Sequence, residues 1–195
     1  MADTTNTPGS EDDREFDFDR IAAGKSPRTE VDRQIGSKQI AAGQARTAVV
    51  RASYPATIDD VWAAWTTPNR LDRWFLPVRG DLRVGGTFQL EGNAGGEIKR
   101  CEAPRLLAVT WVYGDRPVDE VELRLSEGEN GTTTVELEHA TVSTLVEWEG
   151  KMVDVIPGIG PGWEIPLAYA LPAYLRGELP DKPAAEWFEF TPALM

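Results

Sequence analysis

A chain with one thiol and one imidazole has few routes to covalent chemistry: Cys101 is the only cysteine and His139 the only histidine among 195 residues. A nucleophilic dyad would need the two side chains at hydrogen-bond distance. The alternative is a small buried thiol and a histidine at a strand end. No internal disulfide can form and no Cys/His zinc set can be assembled. Nothing in the chain calls for a metal or another cofactor. Glu120 with Glu122, and Glu136 with Glu138, are carboxylate pairs two residues apart. Each pair shares the face of its strand opposite the apolar residues, and solvated carboxylates are poorly placed for acid–base catalysis. Gly158-Ile159-Gly160-Pro161-Gly162 precedes a helical stretch and could cradle an anion. However, Pro161 removes a donor, and no Lys or Ser/Thr follows at phosphate-loop spacing. The segment reads instead as a tight entry that lets Trp163 pack. No residue is assigned a catalytic role.

The aromatic residues are more informative. The chain carries seven tryptophans, and rings that large must pack in a core or around a pocket. Strand alternation puts Val109, Trp111 and Tyr113 on one face with Leu107. Val121, Leu123 and Leu125 alternate with Glu120, Glu122 and Arg124, so this strand has one apolar face. Phe88 and Leu90 come from a neighbouring short strand. Helical spacing gathers Trp163, Leu167, Leu171 and Tyr174 on one side of the last helix, with Tyr169 nearby. Leu107 and Tyr169 aside, these twelve positions are the expected lining of an apolar ligand pocket. The same pattern also suits a filled core.

The elements that must position them follow from periodicity and punctuation. Ala45 to Tyr54 reads as a strand ended by Pro55. Thr57 is placed to cap a helix, with Asp60 three residues on. Ile58, Val61, Trp62 and Trp65 then mark its core-facing stripe. Pro68 opens a second short helix whose buried side carries Leu71, Trp74 and Phe75. From Val78 to His139 glycine pairs separate short strands, and Asn130-Gly131 marks a hairpin. The only long element left to cover a half-apolar antiparallel sheet is the last helix. The fold class is therefore α+β, a curved antiparallel sheet wrapped around a long C-terminal helix.

Residues 1–38 are acidic, rich in small polar residues and without periodicity. They read as a disordered tail, in which Phe16 and Phe18 interleave with carboxylates as a possible docking motif. Residues 39–179 form the folded domain, and 180–195 an aromatic tail carrying Trp187, Phe188 and Phe190. The formal net charge of −12 repels phosphate backbones and anionic lipid, so neither nucleic acid nor a membrane is an expected partner. No secretory signal or run of roughly 20 apolar residues occurs, and a cytoplasmic location is expected.

Several motifs resemble the SRPBCC or START-like superfamily, the helix-grip fold shared with the birch-pollen allergen. The nearer likeness is to the branch named for the activator of the heat-shock-protein-90 ATPase. The likeness rests on Tyr54-Pro55-Ala56 leading into Val61-Trp62, on Trp74-Phe75-Leu76-Pro77, and on Asp81-Leu82-Arg83-Val84-Gly85-Gly86. Glu91 to Glu97, Pro104 to Leu107, Leu137-Glu138-His139 and Gly160-Pro161-Gly162-Trp163 complete it. It runs from about Ala45 to Gly177. It implies a helix-grip domain with Cys101 and His139 on well-separated strands, and an apolar cavity between sheet and helix. Three functions stay open, in this order: binding of a small hydrophobic molecule, protein interaction of a co-chaperone kind through the acidic or aromatic tail, and a cyclase- or hydrolase-like activity. One departure stands out. Pro166 and Pro172 fall inside a helix that is uninterrupted in the family. Each interior proline costs roughly 3 kcal/mol, so the helix is expected to start late, to kink, or both.

Overall fold

The computed structural model describes residues 28–148, 151–154 and 156–179. The expected docking motif around Phe16 and Phe18, and the aromatic tail at 180–195, lie outside these residues.

Eight strands make one antiparallel sheet in the order β1-β2-β8-β7-β6-β5-β4-β3. They are β1 (Val31–Ile40), β2 (Gly43–Tyr54), β3 (Val78–Gly80), β4 (Thr87–Leu90), β5 (Gly95–Glu102), β6 (Leu106–Trp111), β7 (Asp119–Glu127) and β8 (Thr133–Thr141). Helices α1 (Ile58–Thr66) and α2 (Pro68–Trp74) interrupt the strand order after β2. A separate hairpin of β9 (Leu145–Trp148) and β10 (Lys151–Asp154) precedes α3 (Ile156–Ile165). The last helix then continues through a π turn, Pro166–Ala170, into α4 (Leu171–Leu175).

Local signals place most of these elements. Thr57 caps α1, its Oγ1 accepting from the Asp60 backbone N–H at 3.2 Å. Asn130 and Gly131 both adopt positive φ, 56° and 72°, at the β7–β8 connection, a conformation these two residue types adopt at little cost. The alternation across β7 and β8 ends at His139, Ala140 and Thr141, which are all buried, and holds up to there, with Val121, Leu123, Leu125, Val135 and Leu137 buried. The acidic positions between them face outward. There Glu136 accepts from Arg51 Nε at 2.5 Å and from Arg124 Nη1 at 3.0 Å, and Lys38 pairs with Glu138. Burial pushes the Glu136 carboxyl up, but the two arginines outweigh it and hold the group below the usual carboxylate range.

Two expectations are corrected. The boundary at residue 38 is wrong, because Val31 to Ile40 form a strand paired residue for residue with β2 from Ala52 to Gly43. The strand is mostly exposed and polar. Backbone pairing at the sheet edge makes it regular, so it has no apolar alternation to read. Second, the last helix does not start late. Gly158 to Gly162 lie within α3 rather than forming an entry turn, and Asp154 Oδ1 accepts from the Ile156 N–H at 3.1 Å ahead of them.

Two carbonyls left free beside Pro166 and Pro172 find partners from elsewhere in the chain. In the π turn the Leu171 N–H reaches the carbonyl of Pro166. The Leu167 carbonyl, which would have received it in an α-helix, accepts the buried Tyr54 hydroxyl at 2.7 Å. Pro172 has no N–H for the Ala168 carbonyl, and the Thr29 backbone N–H fills that place at 2.9 Å. Glu164 adds a side-chain tie to the same incoming segment through Arg33 at 3.1 Å. Burial pushes the Tyr54 phenol up, so the hydroxyl remains a donor.

Candidate functional site

Between the sheet and the helices lies a cavity of about 390 Å³. Its floor is the inner face of the sheet: Ile98 of β5, Leu107 and Val109 of β6, Val121 and Leu123 of β7, and Leu137 of β8. Its walls are largely aromatic. Trp65, Leu71 and Phe75 come from α1, α2 and the residue after α2; Phe88 and Leu90 from β4; Trp111 from β6; Trp163 from α3. The rings contact one another in a chain. Phe75 stacks on Trp163 at 5.9 Å between centroids, Trp163 meets Trp111 edge-on at 5.3 Å, and Phe88 lies 6.3 Å from Trp111. The rim is formed in part by the loop between β3 and β4. Leu82, Arg83 and Val84 line it while remaining exposed, as does Cys101. The Arg83 guanidinium stands 2.8 Å from Asp81.

Of the expected lining, Phe88, Leu90, Val109, Trp111, Val121, Leu123 and Trp163 surround the cavity. Five others do not. Leu125, Leu167 and Leu171 are buried in solid packing beside it. The helix lies over β2, and the Tyr54–Leu167 bond draws it down there. Tyr174 faces α2, its hydroxyl accepting from Arg70 Nε at 2.9 Å. Tyr113 falls beyond the end of β6, where pairing stops at Trp111↔Asp119. Trp65, expected only as packing, is part of the wall, and Trp62 beside it is half-buried. Leu71 and Phe75 were legible as a helical stripe, but nothing in a stripe tells a wall from a core.

Behind the aromatic wall sits a buried polar chain that spacing gave no reason to expect. Trp163 Nε1 donates to His139 Nδ1 at 3.1 Å, and His139 Nε2 lies 3.1 Å from Asp119 Oδ2. An indole N–H can only donate, so Nδ1 must be the acceptor. The ring is therefore neutral at that nitrogen, and Nε2–H donates to the carboxylate. His139 and Asp119 are both buried, and Asp119 Oδ1 has no donor among the described residues. Cys101 is three strands away from His139 across the sheet, about 14 Å at ordinary strand spacing, so the two form no dyad. The carboxylate pairs sit on the outer face, away from the cavity.

Residues 55–174 match the family model described as activator of Hsp90 ATPase homolog 1-like protein. The chain belongs to this family. Members and fold relatives share its architecture to different degrees. The crystal structure of CalU16 from Micromonospora echinospora is 46% identical, over 76% of this chain and 85% of that one, with a TM-score of 0.68. DynU16, described as a protein in the dynemicin biosynthetic locus, shares the fold at 22% identity and a TM-score of 0.58, and the match spans 49% of its length. An HSP90 activator from Plasmodium falciparum does so at 18% identity and a TM-score of 0.56, over 69% of this chain and 97% of that one. No curated protein matches. Among the described residues, no helix is long and apolar enough to cross a membrane.

Proposed function

We propose that this member of the activator of Hsp90 ATPase homolog 1-like family binds a small, uncharged, largely apolar molecule in the cavity between its sheet and its last helix. The supporting observation is the cavity itself. Protein interiors pack like organic crystals and leave few voids larger than a water molecule. About 390 Å³ of space walled by aromatic and aliphatic side chains is of the size and lining that small-molecule sites have. The ligand's charge follows from the lining. Among the described residues the one ionic side chain there is Arg83, at the rim and beside Asp81, and a charge carried past it would lose its hydration without a partner. The rival reading, protein interaction through the acidic docking motif or the aromatic tail, falls on residues outside those described. A cytoplasmic location belongs to the same proposal, on the sequence grounds above.

The test uses Cys101, the only thiol in the chain and part of the cavity rim. N-phenyl-1-naphthylamine, a neutral apolar dye, should bind saturably with enhanced emission and should slow alkylation of Cys101 by iodoacetamide. A dye that neither brightens nor protects the thiol would refute the reading.

A further inference from the structure

Trp163 has two roles at once: its ring is part of the cavity wall, and its indole N–H is held from behind by His139. The arrangement is buried from end to end. His139 and Trp163 are each about 3% exposed and Asp119 about 7%, so no layer of water stands ready to replace a lost partner. The tautomer is fixed by chemistry. Nδ1 accepts because an indole can only donate, and Nε2 donates because its partner is a carboxylate. A second proton on the ring could go only to Nδ1. It would then point at the Trp163 N–H, donor against donor, and the bond would be lost. Trp163 would have to turn from a position set by Phe75 on one side and Trp111 on the other.

We propose that Asp119 and His139 are positioning residues that form a proton-operated latch on Trp163, releasing the cavity wall and its ligand when the imidazole takes a second proton. The cavity's role as a binding site rests on the reading above; the latch itself does not. β7 supplies Asp119, in hydrogen-bond contact with Nε2. β2 places Ala48 opposite His139 in the ladder, and β6 brings Trp111 with 6.1 Å between ring centroids. Glu138, next to it on β8, pairs with Lys38 on the outer face, and Glu120 of β7 faces the Ala41 N–H there at 3.4 Å. Glu164, next to Trp163 on α3, is turned to Arg33. The loop entering β7 carries Asp115 and Arg116. Asp119 remains beside Nε2 in either protonation state, so the change on protonation falls on the Trp163 side of the ring.

The chain's single histidine makes the test direct, since every imidazole signal in an NMR spectrum is that of His139. The full-length protein is titrated from about pH 8 to about pH 5, the range across which imidazoles change charge. The Trp163 indole N–H resonance, identified by its loss in Trp163→Phe, is followed beside the imidazole. Both should move together, with the indole N–H shifting upfield or exchanging away as its bond is lost. N-phenyl-1-naphthylamine affinity should fall by about ten-fold over the same range, the scale of one lost buried hydrogen bond. In His139→Asn an amide oxygen can take the place of Nδ1 without titrating, so whatever affinity the variant retains should not vary with pH across the range. An imidazole that protonates while the indole signal stays still would overturn the latch. So would an imidazole that stays neutral until the protein unfolds, or a pH loss that persists in His139→Asn. Absence of dye binding at every pH would refute the binding function instead, and the two resonances would still decide the latch.

Discussion

The space between sheet and last helix is solid at one end and hollow at the other, although both ends have the same residue pattern. Over β2 and the far end of β7, Tyr54, Leu125, Leu167 and Leu171 are buried against one another's elements and line no part of the cavity. Over β4 to β8, Phe88, Trp111, Leu123 and Trp163 surround open space. The difference lies in what holds the helix down. At the solid end the π turn frees the Leu167 carbonyl, and the Tyr54 hydroxyl takes it. At the hollow end Trp163, tied sideways to His139, forms part of the cavity wall. Hydrophobic burial supplies both ends with apolar area, and each end carries its own directional bond, Tyr54 to Leu167 at one and Trp163 to His139 at the other.

Substitutions that act on one end only test this division. The largest effect is expected at the solid end. Leu171→Ala should lower unfolding free energy by about 2–5 kcal/mol in chemical denaturation, and leave N-phenyl-1-naphthylamine affinity nearly unchanged. Equal loss of stability and binding would mean that the two ends are one unit. Next comes Tyr54→Phe, which keeps the ring and orphans the Leu167 carbonyl. It should cost about 1–3 kcal/mol. A neutral result would show that the π turn does not depend on that hydroxyl. The smallest effect belongs to the outer face, which serves neither end. Glu136 is held below the usual carboxylate range because Arg51 and Arg124 outweigh its burial. Its folded-state value is depressed, so its contribution is present above the unfolded carboxylate range and is lost as pH falls through and below it. Glu136→Gln should therefore cost less than about 1 kcal/mol near pH 7. The gap from wild type should close below about pH 4.

Much of the architecture was legible because it rests on local rules. Thr57 caps α1 through a bond within its own first turn. Asn130-Gly131 turns the β7–β8 hairpin, and the strict alternation of Val121, Leu123 and Leu125 faces the interior. The family motifs added the order of the elements. What escaped depends on partners remote in sequence. β1 is regular because β2 offers it a backbone ladder, and its own sequence, VDRQIGSKQI, shows no apolar face. Pro166 and Pro172 read as breaks because the groups that take up the carbonyls left free beside them, Tyr54 on Leu167 and Thr29 on Ala168, lie more than a hundred residues upstream. Within the site, the period of a strand tells which side chains point inward, so Val109, Trp111 and Leu123 were legible. It does not tell where the helix sits on them, so Leu167, Leu171 and Tyr174 were misplaced. His139 reads in the sequence as a histidine at a strand end and Trp163 as one of a helical stripe, and only the folded chain puts them in line with Asp119.

The measurement that tests the central claim most directly is Leu123→Trp, with stability and dye binding followed on the same samples. Leu123 is part of the cavity floor, so the added ring should enter open space. The prediction is loss of saturable N-phenyl-1-naphthylamine binding with less than about 1 kcal/mol of destabilisation, against the roughly 1–3 kcal/mol that overpacking costs a filled core. A variant destabilised by that larger amount, in a protein whose wild type binds no apolar probe, would contradict the account and mean that the hollow end is solid too.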